Sequence, residues 1–162
     1  MVTLTIDGRE VQAEEGAMIL DVARDNNIYI PALCSHEGVT PYGACRLCLV
    51  EIVTKGREKL VASCLYPVEE GLMVKTNTER VLDNRRMIIE LLLARCPDSE
   101  VIQDLASKLG VDKPTFRLEE DNRKCILCAL CARVCQEVVG VLAISLVNRG
   151  VDRRLTTPFN KD

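Results

Sequence analysis

The first stretch of the chain alternates apolar and polar residues, which is the period-two pattern of a half-buried β-strand. The apolar positions of this strand are Val2, Leu4 and Ile6. Asp7-Gly8 then supplies the residue pair favoured in two-residue hairpin turns, and the alternation resumes at Val11. The pattern therefore predicts a β-hairpin over residues 2–13.

A short helix and three further strands are predicted before residue 78. After Gly16, apolar residues recur at helical spacing, and the helix face holds Met18, Ile19, Val22 and Ala23. The segment up to Cys48 has no periodicity and is predicted as a loop. Strands are predicted at 49–53 and 58–64, joined by a turn at Lys55-Gly56, with a short strand at 72–76. Residues 1–78 are thus expected to form an α+β domain of the β-grasp type.

From Thr78 onward the apolar residues repeat every three, four and seven positions, which predicts a helix over 79–95. This helix should end at Cys96-Pro97, because the residue before a proline avoids helical angles. Asp98 or Ser99 can cap a second helix, which Gly110 closes. Residues 79–162 are therefore expected to form a second, mainly helical domain.

Composition and charge exclude several classes of protein. The 162 residues are 48% hydrophobic and 28% charged, with a net charge of −3 and no tryptophan. A negative net charge and few aromatic residues argue against nucleic acid as the main partner. No run approaches the roughly 18 apolar residues that span a bilayer. The N-terminus lacks the basic and apolar segments of a secretory signal, so we expect a cytoplasmic protein.

Nine cysteines in such a chain favour metal binding or redox chemistry over disulfides. The first four are Cys34, Cys45, Cys48 and Cys64. A two-iron cluster requires four soft ligands, and the glycines of this segment let backbone N–H groups approach sulfur. A structural Cys₄ zinc site is the alternative, although zinc ribbons generally pair two C-x-x-C knuckles and this group has one.

The remaining cysteines include a run with the spacing of bacterial ferredoxins, Cys125-x₂-Cys128-x₂-Cys131-x₃-Cys135. This spacing indicates a [4Fe–4S] cluster. In two-cluster ferredoxins the fourth cysteine of the run binds the other cluster, and a remote Cys-Pro supplies the missing ligand. Cys96-Pro97 is the only Cys-Pro in the chain. We therefore favour Cys96 with Cys125, Cys128 and Cys131; the alternative uses Cys135 and leaves Cys96 as a buried helix-end residue.

The segments "IPALCSHEG" and "GACRLCLVEI" resemble the N-terminal [2Fe–2S] domain of the large iron–sulfur subunit of NADH dehydrogenase (complex I). They also resemble the corresponding regions of iron hydrogenases and NAD-dependent formate dehydrogenases. The resemblance covers residues 1–78 and implies that Cys34, Cys45, Cys48 and Cys64 bind a [2Fe–2S] cluster on a ferredoxin-like β-grasp. The chain departs from the family where a His-x₃-Cys-x₂-Cys motif would follow, because only Cys96 is present there.

A few other residues have two interpretations. His36, two positions from Cys34, is expected to be an exposed loop residue rather than a cluster neighbour. Arg46 fits a solvated loop charge and a donor to a cluster sulfur equally well. The basic segments at 85–87 and 152–155 are expected to be solvated faces rather than docking patches. Phe159 is a candidate contact of the C-terminal tail with a partner.

The chain has no dinucleotide-binding, P-loop or nucleophile-elbow motif and a single histidine. Its chemistry is therefore expected to reside in cofactors and partner subunits. We expect an electron-transfer subunit that carries one [2Fe–2S] and one [4Fe–4S] cluster. Its partners would be a flavoprotein or NAD(P)-binding subunit and a catalytic redox subunit, such as a hydrogenase or a formate dehydrogenase, in a hetero-oligomeric complex. A zinc-stabilised interaction module and a cluster-based redox sensor are the alternatives.

Overall fold

A computed structural model describes residues 1–54, 56–120 and 123–158 of the chain. Strands β1 (Val2–Ile6) and β2 (Arg9–Ala13) form the predicted antiparallel hairpin. Asp7 and Gly8 both adopt left-handed backbone angles, with φ of 49° and 80°. Asp tolerates this conformation and Gly adopts it freely, so these two residues close the tight turn.

A five-stranded mixed sheet forms the body of the N-terminal region. It comprises β1, β2, β3 (Leu49–Thr54), β4 (Arg57–Ala62) and β5 (Met73–Lys75), in the order β2-β1-β5-β3-β4. Only β1 and β5 pair in parallel. Helix α1 (Ile19–Asp25) buries one face in the core below this sheet. The sheet and its helix have the arrangement predicted for a β-grasp domain.

Some element boundaries differ from the predicted ones. Strand β4 ends at Ala62 instead of Cys64, because the Leu65 N–H bonds back to the Ala62 carbonyl at 2.9 Å and turns the chain. Met18 lies just before α1 and forms an isolated bridge with Pro67. In the predicted turn at Lys55-Gly56, Gly56 has a φ of +72°, whereas Lys55 lies outside the described residues.

Two helices follow the sheet, α2 (Glu79–Arg95) and α3 (Glu100–Lys108), close to the predicted bounds. Their apolar faces do not form a core of their own. They pack against the long loop that precedes β3 and create a second buried cluster with it. This cluster contains Cys34, Cys45, Leu47, Ile89, Leu93, Cys96, Ile102 and Ala106. The helical segment therefore covers the loop that carries the first cysteines.

The last part of the chain contains short elements. Helix α4 (Leu130–Arg133) continues into a π-helical turn (Val134–Val138) within and beyond the cysteine run. A small hairpin follows, with strands β6 (Ser145–Val147) and β7 (Arg154–Thr156) on either side of a 3₁₀ turn (Gly150–Asp152). The sequence analysis predicted no hairpin here, because neither strand exceeds three residues and their alternation is too short to detect.

The caps of α2 and α3 provide a matched test of what starts each helix. The Thr78 hydroxyl accepts the Val81 N–H at 3.3 Å, whereas the Ser99 side chain makes no capping bond. We expect Thr78→Ala to lower the free energy of unfolding by about 1 kcal/mol. Ser99→Ala, the control, should change it by less than about 0.5 kcal/mol. Urea unfolding followed by circular dichroism, at equal iron content, measures both; equal losses would contradict the assignment of Thr78 as the cap.

Candidate iron–sulfur sites

The β3–β4 hairpin brings Cys48 and Cys64 together. Leu49 pairs with Ala62 at the end of the ladder, and the Ser63 N–H extends it by donating to the Cys48 carbonyl at 3.1 Å. Cys48 therefore lies opposite the residues that leave β4. The two sulfur atoms, Cys48 Sγ and Cys64 Sγ, are 3.4 Å apart. The hairpin register alone thus joins two thiols that are sixteen positions apart in the sequence.

Cys34 and Cys45 come from the long loop between α1 and β3. The Cys45 N–H donates to Cys34 Sγ at 3.4 Å. All four cysteines are buried, the most accessible being Cys45 at 7% exposure. Cys64 also interacts electrostatically with both Cys34 and Cys45, so the two pairs form one group. We call these residues the first cysteine group.

The group consists of two pairs, Cys34 with Cys45 and Cys48 with Cys64. In each pair one thiol has a lowered pKa and the other a raised pKa. The hydrogen bond from the Cys34 thiol lowers the pKa of Cys45 to about 5, although burial acts in the opposite direction. In the same way, the Cys64 thiol lowers the pKa of Cys48 to about 6, while the pKa values of Cys34 and Cys64 are raised. The lowered pKa values of Cys45 and Cys48 favour the thiolate, the form that binds metal.

Backbone N–H groups surround these sulfurs. Those of Ala44 and Cys45 face Cys34, and those of Leu33, Cys34 and Leu47 face Cys45. Convergent N–H groups of this kind form a concave site for anions and are frequent around iron–sulfur clusters. Four buried cysteines within such a shell fit a thiolate-bound [2Fe–2S] cluster. Four cysteines are also the donor set of a structural zinc ion, but no three such side chains among the described residues converge closely enough to hold a metal ion as they stand.

Arg85 is a functional candidate that the sequence analysis missed. It was expected on a solvated helix face, but its side chain is 3% exposed. Its guanidinium donates to the carbonyl of Leu49, the residue after Cys48, at 2.7 Å and interacts electrostatically with Cys48 itself. The signal was present in the sequence, because Arg85 lies four residues from both Val81 and Ile89 on the buried face of α2.

Ser63 is a second residue that the sequence analysis did not single out. It is completely buried, and its hydroxyl has no hydrogen-bond partner within the described residues. The hydroxyl lies near the Cys48 sulfur and helps to lower the pKa of that thiol. Arg85 and Ser63 together place a buried positive charge and a buried donor beside the first cysteine group.

Cys96 lies next to the beginning of the cysteine run. It is fully buried at the end of α2. An ion pair between Asp98 and Arg123, with N–O distances of 2.6 and 3.0 Å, ties the turn after Cys96 to the segment before Cys125. Burial, and to a lesser degree the nearby Cys125 and Cys128, raise the pKa of Cys96 to about 11.

The backbone of the cysteine run is unusual for residues that are not glycine. Leu127 and Ala129 both adopt left-handed angles, with φ of 54° and 62°. Alternation between left- and right-handed angles turns successive N–H groups toward a common centre. Cys125 and Cys128 are half-buried, and Cys131 is exposed.

Cys135 has different surroundings from the rest of the run. Its sulfur accepts the Ala143 N–H at 3.1 Å, and its carbonyl accepts the Val141 N–H at 3.1 Å. It is thus bound to the turn that follows it, whereas no hydrogen bond among the described residues ties it to the turn that carries Cys96.

The other residues singled out in the sequence have simpler roles. His36 is exposed, as expected, and its Nδ1 accepts the Gly38 N–H at 3.1 Å. Arg46 is exposed with a φ of 59°. In the segment 152–155, Arg153 is half-buried and donates to the Tyr42 hydroxyl at 2.7 Å, so this segment is only in part a solvated face. Phe159 lies outside the described residues.

Comparison with known proteins gives these features a family. Residues 1–79 match the model of a 2Fe-2S iron-sulfur cluster binding domain. A chain in the crystal structure of an NAD+-reducing [NiFe]-hydrogenase in the H2-reduced state has a TM-score of 0.83 and 31% identity, covering 96% of this chain and 74% of that one. The chain belongs to this [2Fe–2S] family. The resemblance to the iron–sulfur subunits of complex I and hydrogenases is thereby confirmed.

Two curated members of the [2Fe–2S] family are much longer. The NADPH-Fe(3+) oxidoreductase subunit alpha of Geobacter sulfurreducens is 36% identical over 93% of this chain but only 20% of its own length. The NADH-ubiquinone oxidoreductase 75 kDa subunit of Reclinomonas americana is 34% identical over 99% of this chain and 26% of its own length. The chain thus spans about a fifth to a quarter of these relatives. None of the helices within the described residues is long and apolar enough to cross a membrane.

Gly43 provides a test of how closely the first cysteine loop is packed. Its φ is +69°, and an added Cβ would lie 2.3 Å from Leu65 Cδ1. Gly8 has a similar φ of +80° but open space around it. Both alanine variants incur the left-handed cost of roughly 1–2 kcal/mol. We expect Gly43→Ala to destabilise the protein by about 1 kcal/mol more than Gly8→Ala, because Leu65 must move.

The comparison is completed by a double variant measured by thermal unfolding. In a Leu65→Ala background the obstructing side chain is absent, so Gly43→Ala should cost no more than Gly8→Ala. If Gly43→Ala still destabilises the protein more than Gly8→Ala in that background, the tight contact with Leu65 is not the cause.

Proposed function

We propose that this chain is an electron-transfer subunit that relays electrons between a flavin- or NAD(P)-dependent partner and a second redox enzyme, such as a hydrogenase, a formate dehydrogenase or a related oxidoreductase. The observation that carries the proposal is the first cysteine group, in which four sulfurs are buried and backbone N–H groups converge on those of Cys34 and Cys45. Membership of the [2Fe–2S] family and the similarity to the hydrogenase chain support it.

In this proposal Cys34, Cys45, Cys48 and Cys64 hold a [2Fe–2S] cluster. When bound, the cluster supplies transfer of one electron at a time without proton chemistry on the protein. The chain's residues hold it and adjust its charge. A cluster with four thiolate ligands is anionic, and the buried guanidinium of Arg85 supplies a positive charge beside Cys48. Hydrogen bonds to cluster sulfurs are among the factors that set the reduction potential.

A [4Fe–4S] cluster held by Cys96, Cys125, Cys128 and Cys131 is the second part of the proposal. Its support is the proximity of buried Cys96 to Cys125 and Cys128, together with the left-handed angles of Leu127 and Ala129. The alternative fourth ligand, Cys135, has its sulfur in a hydrogen bond with the following turn.

The first cysteine group and the proposed ligands of the second cluster share one apolar cluster, which fits a role in electron relay. Cys34, Cys45 and Cys96 all belong to it, and Cys128 packs against its surface. Leu47 lies fully buried among them. Electrons passing between the two groups would therefore cross closely packed protein without intervening water. Tyr42, Ala44 and Arg46 are exposed around the first group, so a partner can approach it closely.

Metal analysis with electron paramagnetic resonance tests the proposal. Protein prepared under anaerobic conditions should contain about six irons and six acid-labile sulfides per chain, from one two-iron and one four-iron cluster. The reduced protein should give two distinct signals. A colourless protein with stoichiometric zinc, or fewer than about five irons per chain, would contradict it.

Serine variants distinguish the two candidate fourth ligands. We expect Cys96→Ser to lose the four irons of the second cluster, or to change its signal, while the [2Fe–2S] signal persists. Cys135→Ser should keep about six irons, because its sulfur bonds to backbone in this structure. Iron content and paramagnetic resonance of both variants give the readout. Loss of the second signal in Cys135→Ser alone would select the alternative ligand set.

A further inference from the structure

Arg133 is a buried charged residue whose role the proposed clusters do not explain. It lies between Cys131 and Cys135 at the end of α4, yet its side chain is only 8% exposed. A guanidinium is strongly hydrated in the unfolded chain, so burying it is costly unless its donors find partners. Its partners lie in the loop of the first cysteine group, more than ninety positions away.

The guanidinium of Arg133 bridges two carbonyl groups of that loop. Nη2 donates to the carbonyl oxygen of Cys34 at 2.7 Å and Nη1 donates to the carbonyl oxygen of Thr40, whereas the buried Nε has no partner among the described residues. The guanidinium carbon also lies over the Tyr42 ring, 5.4 Å from the ring centre. Arginine can make such a fork because its donors are fixed in one plane, which a lysine cannot reproduce.

Two further side chains hold the same loop. The Glu137 carboxylate, one helical turn beyond Arg133, accepts the Thr40 N–H at 2.7 Å. Thr40 is therefore held through its N–H by Glu137 and through its carbonyl by Arg133. Arg153, from the small C-terminal hairpin, donates to the Tyr42 hydroxyl. These three contacts join the segment around the cysteine run to the loop over residues 34–42.

We propose that Arg133 is a positioning residue, which through the carbonyls of Cys34 and Thr40 locks the cysteine run onto the loop of the first cysteine group. This pair of hydrogen bonds, called the lock below, holds the cysteine run at a fixed distance from the first cysteine group. Because one of its partners is the carbonyl of Cys34, a movement of the run would also move the backbone of that cysteine. The consequence for electron relay rests on the proposed function, whereas the lock itself depends only on the contacts described.

The test compares Arg133→Met, Arg133→Lys and Arg117→Met in the full chain, prepared anaerobically and assayed first for iron. Arg117 is the control, because it lies between α3 and the cysteine run and its side chain is 86% exposed. Hydrogen–deuterium exchange of the peptide containing Thr40 measures the lock. The magnetic interaction between the two reduced clusters, seen as splitting or broadening in paramagnetic resonance, measures their separation.

We expect Arg133→Met to speed exchange at Thr40 by about tenfold or more and to alter the magnetic interaction. Arg133→Lys should lie between this variant and the wild type, because it keeps the charge but cannot bridge both carbonyls. Arg117→Met should behave as wild type. If Arg133→Met matches Arg117→Met in both measurements, the lock does not exist.

If Arg133→Met does not fold, Glu137→Gln serves as the second variant. It removes the carboxylate charge that holds the Thr40 N–H and should speed exchange of that amide, with iron content unchanged. Normal exchange in both Glu137→Gln and Arg133→Lys would overturn the proposal. Absence of iron from the wild-type protein would instead contradict the proposed function. Hydrogen–deuterium exchange at Thr40, measured on the same material, would still show whether Arg133 holds the loop.

Discussion

The burial of four cysteine sulfurs in one place is the constraint on which the rest of the structure depends. Sulfur atoms packed together in this way lose their hydration, and those that carry a charge repel one another, so they require compensation from the surrounding protein. Backbone N–H groups supply part of it, and these come from the irregular loop before β3, where no sheet or helix uses them. Arg85 supplies a buried positive charge from α2. Helix α2, which follows the five-stranded sheet, thus also lines the first cysteine group.

The shared apolar cluster makes the two halves of the chain mutually dependent. Cys34 and Cys45 are packed by side chains of α2 and α3, and Cys96 ends α2 within the same cluster. Loss of the helical segment would expose the first cysteines to water, which weakens the electrostatic effect of every nearby donor. Arg133 and Glu137 add polar contacts from the cysteine run to the same loop. The geometry of the first cysteine group is therefore linked to the folding of the cysteine run.

Sequence patterns located most of the regular elements but not their mutual arrangement. The hairpin turn at Asp7-Gly8 and the helix 79–95 could be predicted because each depends on local residues, namely turn formers and a repeating apolar face. Ser99 occupies the predicted cap position without capping, and Asp98 binds Arg123 instead. A choice between a local cap and a distant ion pair depends on which segment lies nearby, which local rules cannot supply. The burial of Arg85 was misjudged for a related reason, since charge was given more weight than its place on the apolar face.

The sequence by itself indicated two cysteine groups, because C-x-x-C spacing places Cys45 near Cys48 and the run from Cys125 to Cys131 on short loops. It also indicated a β-grasp domain, through alternation and turn residues. Only the tertiary structure decided which distant residues meet these cysteines. The hairpin register placed Cys64 against Cys48, and packing of the helices buried Cys96 beside Cys125. Arg133 reached the Cys34 carbonyl across ninety-nine positions. Such contacts depend on how the whole chain folds, and the residues near each contact in the sequence give no local signal for them.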